Sequence, residues 1–123
     1  MEELLAYTEL KSITPNPYFP GVEDVNAQEV LERKSDLVLI DVREPAEFSG
    51  DLGHVAGSEL VPLGGLPENM NRIPKDKTVI FICRSGNRSA HAAAYAKELG
   101  FSSVYNMMGG MLFWNQILLP VER

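Results

Sequence analysis

The sequence is short of cysteine and of long apolar runs, and both shortages exclude classes of protein. Only one of its 123 residues, Cys83, is a cysteine, so no intrachain disulfide can form, and a lone thiol suits a reducing compartment. No run approaches the roughly 20 apolar residues that a membrane-spanning helix needs. The N-terminus has no basic region ahead of an apolar one, as a secretory signal would have. We therefore expect a cytoplasmic protein that does not bind membranes.

Positive charge is also in short supply. Lys and Arg together number 11 against 17 for Asp and Glu, which gives a formal net charge of -6. Such a chain repels polyanions, so we expect no nucleic-acid partner. With one cysteine and only His54 and His91, the chain also lacks the usual ligands of a structural zinc site. We expect no metal ion.

Short apolar segments alternate with helical patterns along the chain. The segments 37–40 and 79–82 are β-branched and continuously apolar, as strands buried on both faces of a parallel sheet are. Weaker strand signals lie at 59–61 and 103–105, and helices are predicted at 26–34, 90–99 and 111–119. This alternation indicates an α/β fold with a central, mostly parallel sheet and helices on both faces.

The N-terminal segment differs from the rest of the chain in its proline content. Pro15, Pro17 and Pro20 exclude a continuous helix there. At 123 residues, 45% of them hydrophobic, the chain is large enough for one compact domain but not for two. We predict an N-terminal extension, residues 1–22, that packs on a single domain formed by residues 23–123.

The most informative segment lies between the strand at 79–82 and the alanine-rich helix at 90–99. Parallel sheets bind ligands beyond the carboxyl ends of their strands, which is where Cys83 falls. A turn of glycine and small polar residues lets successive backbone N–H groups converge on an anion, and the helix dipole adds to this attraction. We predict that Cys83 is a nucleophile in its thiolate form. The residues predicted to bind its substrate are Arg84, Ser85, Gly86, Asn87, Arg88 and Ser89.

Charge around this cysteine supports the same prediction. Arg84 and Arg88 flank the turn, and no acidic residue occurs from Cys83 to Lys97. We expect an electropositive site without a nearby carboxylate, which would attract an anionic sulfur donor such as thiosulfate. The alternative interpretation is structural: a cysteine after an apolar strand is usually a small buried hydrophobe, and an arginine usually forms a surface ion pair. The composition of the turn favours the functional interpretation.

Four motifs occur in order between about residue 25 and the C-terminus, namely DVREPAEF at 41–48, GHVAG at 53–57, CRSGNRS at 83–89, and NMMGGM at 106–111 followed by Trp114. Together they resemble the motifs of the rhodanese family. Two departures are modest. Ala56 stands where the family usually has proline, and residues 49–52 slightly lengthen the link before the second motif.

The resemblance implies an activity and roles for residues. It implies that Cys83 carries sulfur as a persulfide, that backbone amides from Arg84 to Ser89 hold the transferred sulfur or its donor, and that Arg88 closes the turn. The sulfur would move from a small anionic donor such as thiosulfate, or from a persulfide donor, to cyanide or to a thiol, with a protein as an alternative sulfur donor or acceptor. No cofactor is expected. Three further residues are expected to support the structure, namely Asp41, Arg43 and His54.

Two other functions remain open at this point. Cysteine phosphatases also place a thiolate in an anion-binding loop after a strand, but their Cys-x5-Arg spacing would require arginine at position 89, where the chain has Ser89. A non-catalytic docking module is the other alternative, although such domains usually lack the cysteine. A sulfur relay to a protein partner would share the chemistry of the enzyme and differ in its acceptor.

Overall fold

The computed structural model describes residues 7–123. Over this range the chain forms six strands and five α-helices. The strands are β1 (Thr14–Pro15), β2 (Glu23–Val25), β3 (Val38–Asp41), β4 (Glu59–Leu60), β5 (Val79–Ile82) and β6 (Val104–Met107). The helices are α1 (Ala27–Arg33), α2 (Pro45–Phe48), α3 (Leu66–Asn69), α4 (Asn87–Glu98) and α5 (Gly110–Gln116). None of these helices is long and apolar enough to cross a membrane.

All six strands of residues 7–123 join one sheet in the order β1-β2-β6-β5-β3-β4. Every neighbouring pair is parallel except β1 and β2, which are antiparallel. Parallel strands bring their carboxyl ends to the same edge of the sheet. The segments that follow β3 and β5 therefore emerge side by side.

The core has two parts, one on each face of the sheet, and β5 contributes to both. Val79, Phe81 and Cys83 pack on the face covered by α3 and α4, while Ile80 and Ile82 pack on the face covered by α1 and α5. Successive side chains of a strand point to opposite faces, so a strand buried on both sides must be apolar throughout. This confirms the predicted α/β fold with helices on both faces.

The predicted elements are present, with shifted ends, and several short elements were not predicted. Helix α4 begins at Asn87 rather than residue 90, so three residues of the cysteine turn form its first helical turn. Strands β1 and β2 and helices α2 and α3 have only two to four residues each. Elements this short carry too little periodicity to be recognised in a sequence.

The described part of the N-terminal segment, residues 7–22, lies against the rest of the chain. Leu10 is buried, the Tyr7 hydroxyl donates to the carbonyl of Lys75 over 3.0 Å, and Phe19 packs edge-on against His91. Tyr18 does not pack on the core, because its side chain is 84% exposed. Residues 1–6 of the predicted extension lie outside the described residues, and its boundary at residue 22 stays a prediction.

Candidate active site

Cys83 directly follows β5 and continues its alternation into the core. The residue is only 1% exposed, as the structural interpretation of a lone cysteine expects. Its sulfur nevertheless has polar neighbours, because the backbone N–H of Gly86 donates to Sγ over 3.0 Å and the Ser89 hydroxyl lies 3.2 Å from it. The sulfur therefore lies at the base of the turn, facing hydrogen-bonding groups as well as apolar side chains.

The turn from Cys83 to Ser89 presents backbone donors without acceptors. Within residues 7–123, Gly86 is the one residue of positions 84–89 whose N–H has an acceptor, and that acceptor is Cys83 Sγ. Gly86 has φ +103°, a left-handed conformation that favours glycine, and no side chain caps α4. The other N–H groups of the turn and of the first turn of α4 are therefore available to an anion.

The carbonyl side of the same turn is held by the start of α5. The N–H of Met111 donates to the carbonyl of Cys83 and that of Leu112 to the carbonyl of Arg84, each over 2.9 Å. Gly110 allows this approach, since a Cβ there would lie 2.5 Å from the backbone of Arg84. The first two carbonyls of the turn are therefore bonded to the start of α5.

Arg88 forms an ion pair that the sequence did not predict. Its two terminal nitrogens donate to the Glu47 carboxylate over 2.7 and 2.8 Å. The hydrogen bond from Arg88 lowers the pKa of Glu47 to about 2, and the same bond raises the pKa of Arg88. The expectation of a site without a nearby carboxylate is wrong, because Glu47 is distant in sequence but adjacent in space.

Arg84 keeps its charge unpaired within the described part of the chain. Among residues 7–123, the ion pairs do not include it, and its side chain is exposed. It lines a surface pocket of about 340 Å³ together with Arg43, Glu47 and Leu52. Arg84 is thus the cation of the turn that is free to meet an incoming anion.

Asp41 and Arg43, at the end of β3, form a fully buried ion pair. Arg43 Nη2 lies 2.8 Å from Asp41 Oδ2, and the residues are 0% and 1% exposed. The same guanidinium donates to the carbonyls of Glu47 and Gly53 over 3.2 and 2.8 Å. These contacts hold the segment after β3 in place, which agrees with the supporting role expected of both residues.

His54 makes contacts with the same segment and with the C-terminus. Its Nδ1 lies 2.8 Å from the carbonyl of Phe48, and the two rings stack with centroids 3.7 Å apart. Its backbone pairs with that of Glu122. These partners also fit a supporting role.

Sequence reasoning assigned no role to Asn106 or Asp24, which extend the polar contacts of the site. Ser89 Oγ lies 2.5 Å from Asn106 Oδ1, and Asn106 Nδ2 donates to Asp24 Oδ1 over 2.9 Å. The sequence contains one indication of a role for Asp24. It lies within the four residues from Val22 to Val25, whose two ends are apolar, but this segment is too short to be predicted as a strand. Ser89, predicted to bind substrate, is 0% exposed and faces this network.

An open cleft of about 340 Å³ separates the turn from the N-terminal segment. Its walls include Tyr18, Ser85, Asn87 and Met108. Apolar side chains beside the turn are exposed to solvent, namely Met108, Leu112 and Phe113. The surroundings of the turn thus combine a polar cleft with apolar surface.

Known proteins are similar to this chain in fold and in sequence. The family model "Rhodanese-like domain" matches residues 26–117. A sulfurtransferase of Allochromatium vinosum is 34% identical over 103 residues, which cover 81% of this chain and 94% of that protein. The thiosulfate sulfurtransferase GlpE of Ectopseudomonas mendocina is 35% identical, with 78% of this chain and 84% of that one covered. A rhodanese-related crystal structure from Thermoplasma volcanium superposes with a TM-score of 0.73 at 32% identity, covering 79% of this chain and 94% of that one.

The family model covers most of the chain, and the relatives align over most of their own length. The chain therefore belongs to the rhodanese-like domain family. This confirms the resemblance found in the four sequence motifs.

Proposed function

We propose that this protein is a sulfurtransferase that carries sulfur as a persulfide on Cys83. The observation that carries the proposal is the position of the sulfur at the base of a turn whose other amides have no acceptor within residues 7–123. Amides that converge on one place at a helix N-terminus stabilise negative charge. Sulfurtransferases among the relatives support the same function.

The proposed reaction has two displacements. The Cys83 thiolate attacks the outer sulfur of thiosulfate, the S–S bond of the donor breaks, and sulfite leaves with the bonding electron pair. Cys83 then bears a persulfide whose negative charge lies on the outer sulfur, within reach of the turn amides. A thiolate or cyanide acceptor attacks this outer sulfur, and the Cys83 thiolate leaves. No external oxidant or reductant is needed, because each step moves one sulfur atom between nucleophiles.

The two arginines have different roles in this proposal. Arg84, exposed and without an ion-pair partner in the described chain, attracts the anionic donor. Arg88 is bound to Glu47 and links α4 to α2. Arg88 therefore holds the turn closed. Because Glu47 neutralises much of its charge, Arg88 attracts the anionic donor less strongly than Arg84 does.

Exposed apolar side chains beside the turn favour a protein as the acceptor. Met108 is 46% exposed and Phe113 is 40% exposed, and apolar surface beside an active turn suits contact with another protein better than with cyanide. The second candidate function is accordingly a sulfur relay, in which Cys83 passes its persulfide to a protein thiol. A phosphatase is disfavoured, because the turn has the shorter Cys-x4-Arg spacing.

The experiment that tests the proposal is the intact mass of the protein after treatment with thiosulfate. We expect the mass of one added sulfur atom, lost again on reduction, in the wild type and not in Cys83→Ser. Cys83→Ser should also lose at least about 10³-fold in thiosulfate:cyanide sulfur transfer. Its thermal melting should match the wild type, which separates lost chemistry from lost folding.

Failure of the wild type to gain sulfur from either thiosulfate or a low-molecular-weight persulfide would contradict the proposal and favour a docking module. Sulfur that loads on Cys83 but transfers only to a protein thiol would support the relay over the small-molecule enzyme. Hydrolysis of an aryl phosphate at a rate comparable to sulfur transfer would instead favour the phosphatase.

A further inference from the structure

The cleft between the turn and the N-terminal segment adjoins the reactive sulfur. Its volume of about 340 Å³ falls within the range of about 300–1,000 Å³ that is usual for ligand sites. Gly86 lines the cleft, and its N–H donates to Cys83 Sγ over 3.0 Å. The outer sulfur of a persulfide lies one S–S bond, about 2.05 Å, beyond Sγ. A molecule in the cleft is therefore next to the turn that would hold the transferred sulfur.

The opposite wall of the cleft belongs to the N-terminal segment, and its backbone is fixed. The side-chain oxygen of Asn16 accepts the N–H groups of Tyr18 and Phe19 over 2.8 and 2.9 Å, and its Nδ2 donates to Asp24 over 2.9 Å. Phe19 packs edge-on against His91 of α4. The wall is thereby preorganised, so a ligand does not have to order it on binding.

The side chain of Tyr18 is exposed even though its backbone is held in place. It is 84% exposed and lines the cleft. A tyrosine ring offers a large contact area and loses few rotamers on binding, which is why tyrosine is common at the centres of binding surfaces. Tyr18 precedes residues 26–117, so the match to the family model assigns it no role.

Apolar surface continues from the cleft along the start of α5. Met108 lines the cleft and is 46% exposed. Gly109 also lines the cleft and lies against Phe113, since a Cβ on Gly109 would be 2.5 Å from the Cβ of Phe113. Phe113 is itself 40% exposed. A ligand that covered both the cleft and this surface would have to be longer than a small thiol.

The cleft differs in charge from the pocket that contains Arg84. Among the described residues that line the cleft, Asp24 is the one with a charge, and it is 2% exposed and accepts hydrogen bonds from Asn16 and Asn106. In the other pocket, four of the seven lining residues are charged, Arg84 and Glu47 among them. The Arg84 pocket therefore suits an anionic donor, whereas the cleft suits an uncharged molecule with amide and apolar groups.

We propose that the cleft binds the sulfur acceptor, and that this acceptor is a cysteine in an extended, uncharged segment of a protein whose neighbouring apolar residues contact Tyr18 and Met108. Tyr18 is then a specificity-determining residue for the acceptor. The proposal rests on the proposed function, because it names the acceptor of the persulfide on Cys83. The acceptor thiolate attacks the outer sulfur, the S–S bond to Cys83 breaks, and the Cys83 thiolate leaves with the bonding electron pair. The acceptor cysteine becomes the new persulfide.

The first test compares two capped tripeptides as acceptors, acetyl-Leu-Cys-Leu-amide and acetyl-Gly-Cys-Gly-amide, with thiosulfate as the donor. In Tyr18→Ala we expect the half-saturating concentration of the leucine peptide to rise about tenfold, because the contact with the ring is lost. The glycine peptide and cyanide should be used equally well by the wild type and the variant, since neither reaches the ring. Tyr18→Phe should stay within about twofold of the wild type, because the ring supplies the contact.

The control is Leu118→Ala, which removes another exposed apolar side chain, 89% exposed, beyond the end of α5 that lies away from the turn. It should leave the half-saturating concentration of the leucine peptide unchanged. An unchanged value in Tyr18→Ala would overturn the proposal. An equal rise for both peptides, or a matching loss of transfer to cyanide, would also overturn it, because Tyr18 would then act on the turn and not on the acceptor.

The second test measures binding alone, with acetyl-Leu-Ser-Leu-amide, which has no thiol to accept sulfur. Titrated into ¹⁵N-labelled protein, this peptide should shift the NMR signals of Tyr18, Asn87 and Met108, and it should bind Tyr18→Ala about tenfold more weakly. Absence of binding, or shifts centred on Glu47 and Leu52 in the other pocket, would overturn the proposal.

The two tests separate failure of the cleft from failure of the proposed function. If the serine peptide binds in the cleft while neither thiosulfate nor a persulfide loads sulfur on Cys83, the proposed function fails and the peptide site stands without that reaction. If sulfur loads and passes to cyanide while both peptides behave alike in the wild type and in Tyr18→Ala, the acceptor proposal fails alone.

Discussion

The carboxyl ends of β3 and β5 lie side by side at one edge of the sheet, but they differ in how their polar groups are used. After β3, the carboxylate of Asp41 and the guanidinium of Arg43 are fully buried and bonded to each other and to nearby carbonyls. After β5, the backbone donors of the turn have no acceptor in the described chain apart from the one that reaches Cys83 Sγ.

This difference separates a structural site from the proposed functional one. Polar groups that are buried must be paired, and leaving one unpaired costs about 1–3 kcal/mol. At the end of β3, the side chains of Asp41 and Arg43 bond to each other and to protein carbonyls, so they are not available to bind a ligand. The turn after β5 leaves its donors for an anion from outside. Stability should therefore depend on the first region, and donor binding on the second.

The largest effect we expect is on stability, at the end of β3. Arg43→Met removes one partner of a fully buried pair, which leaves Asp41 as an uncompensated charge and should lower the free energy of unfolding by about 3–5 kcal/mol. Urea denaturation would measure it. The matched control is Arg84→Ala, an exposed arginine of the second region, for which we expect a change within about 0.5 kcal/mol. A similar loss in the free energy of unfolding for Arg43→Met and Arg84→Ala would contradict the proposed difference between the two regions.

A smaller effect is expected on donor binding at the turn after β5. Arg84→Ala should raise the half-saturating thiosulfate concentration by about fivefold, because it removes an unpaired cation from the approach to Cys83. Arg88→Ala should raise it less, since Glu47 already neutralises that charge. Steady-state kinetics against thiosulfate would measure both, with Arg33→Ala on α1 as the control for net charge. A larger effect for Arg88 than for Arg84 would mean that Arg88 binds the donor directly.

The smallest effect concerns the contact between the two regions, the Arg88–Glu47 pair. The pKa of Glu47 is lowered from 4.5 to about 2, chiefly by its hydrogen bond with Arg88. A lowered pKa means that the pair stabilises the fold above pH 4.5 and that this contribution is lost as the pH falls toward 2. Both side chains are about one-third exposed, so the contribution should be at most about 1 kcal/mol.

Unfolding measured at several pH values would reveal this contribution. Glu47→Gln should be less stable than the wild type near pH 7, and the two should converge in acid. Glu68→Gln, an exposed glutamate on α3, serves as the control and should match the wild type throughout. A constant difference between Glu47→Gln and the wild type down to acid pH would show that the ion pair is not its cause.

The sequence predicted those parts of the fold that depend on local patterns, since strands β3 and β5 are continuous apolar runs. The composition of the turn after β5 favours an anion site, which stays a prediction. The pairing of Arg88 with Glu47 could not be predicted from charge along the chain, because it joins residues 41 positions apart. Strand β2 was missed because it is short and contains two acidic residues, which strands generally disfavour. The burial of Asp24 follows from its pairing with Asn106, which local sequence does not reveal.

Strand β1 has one further consequence, for self-association. It forms an edge of the sheet, where unpaired backbone groups can recruit a strand from another molecule. The N–H of Asn16 points inward, to the carbonyl of Val22, so the backbone nitrogen of Pro15 faces outward. Proline has no hydrogen there to donate. A strand of a second molecule that approached this edge would find no hydrogen-bond donor at Pro15. The proline thereby disfavours edge-to-edge association of the sheets of two molecules.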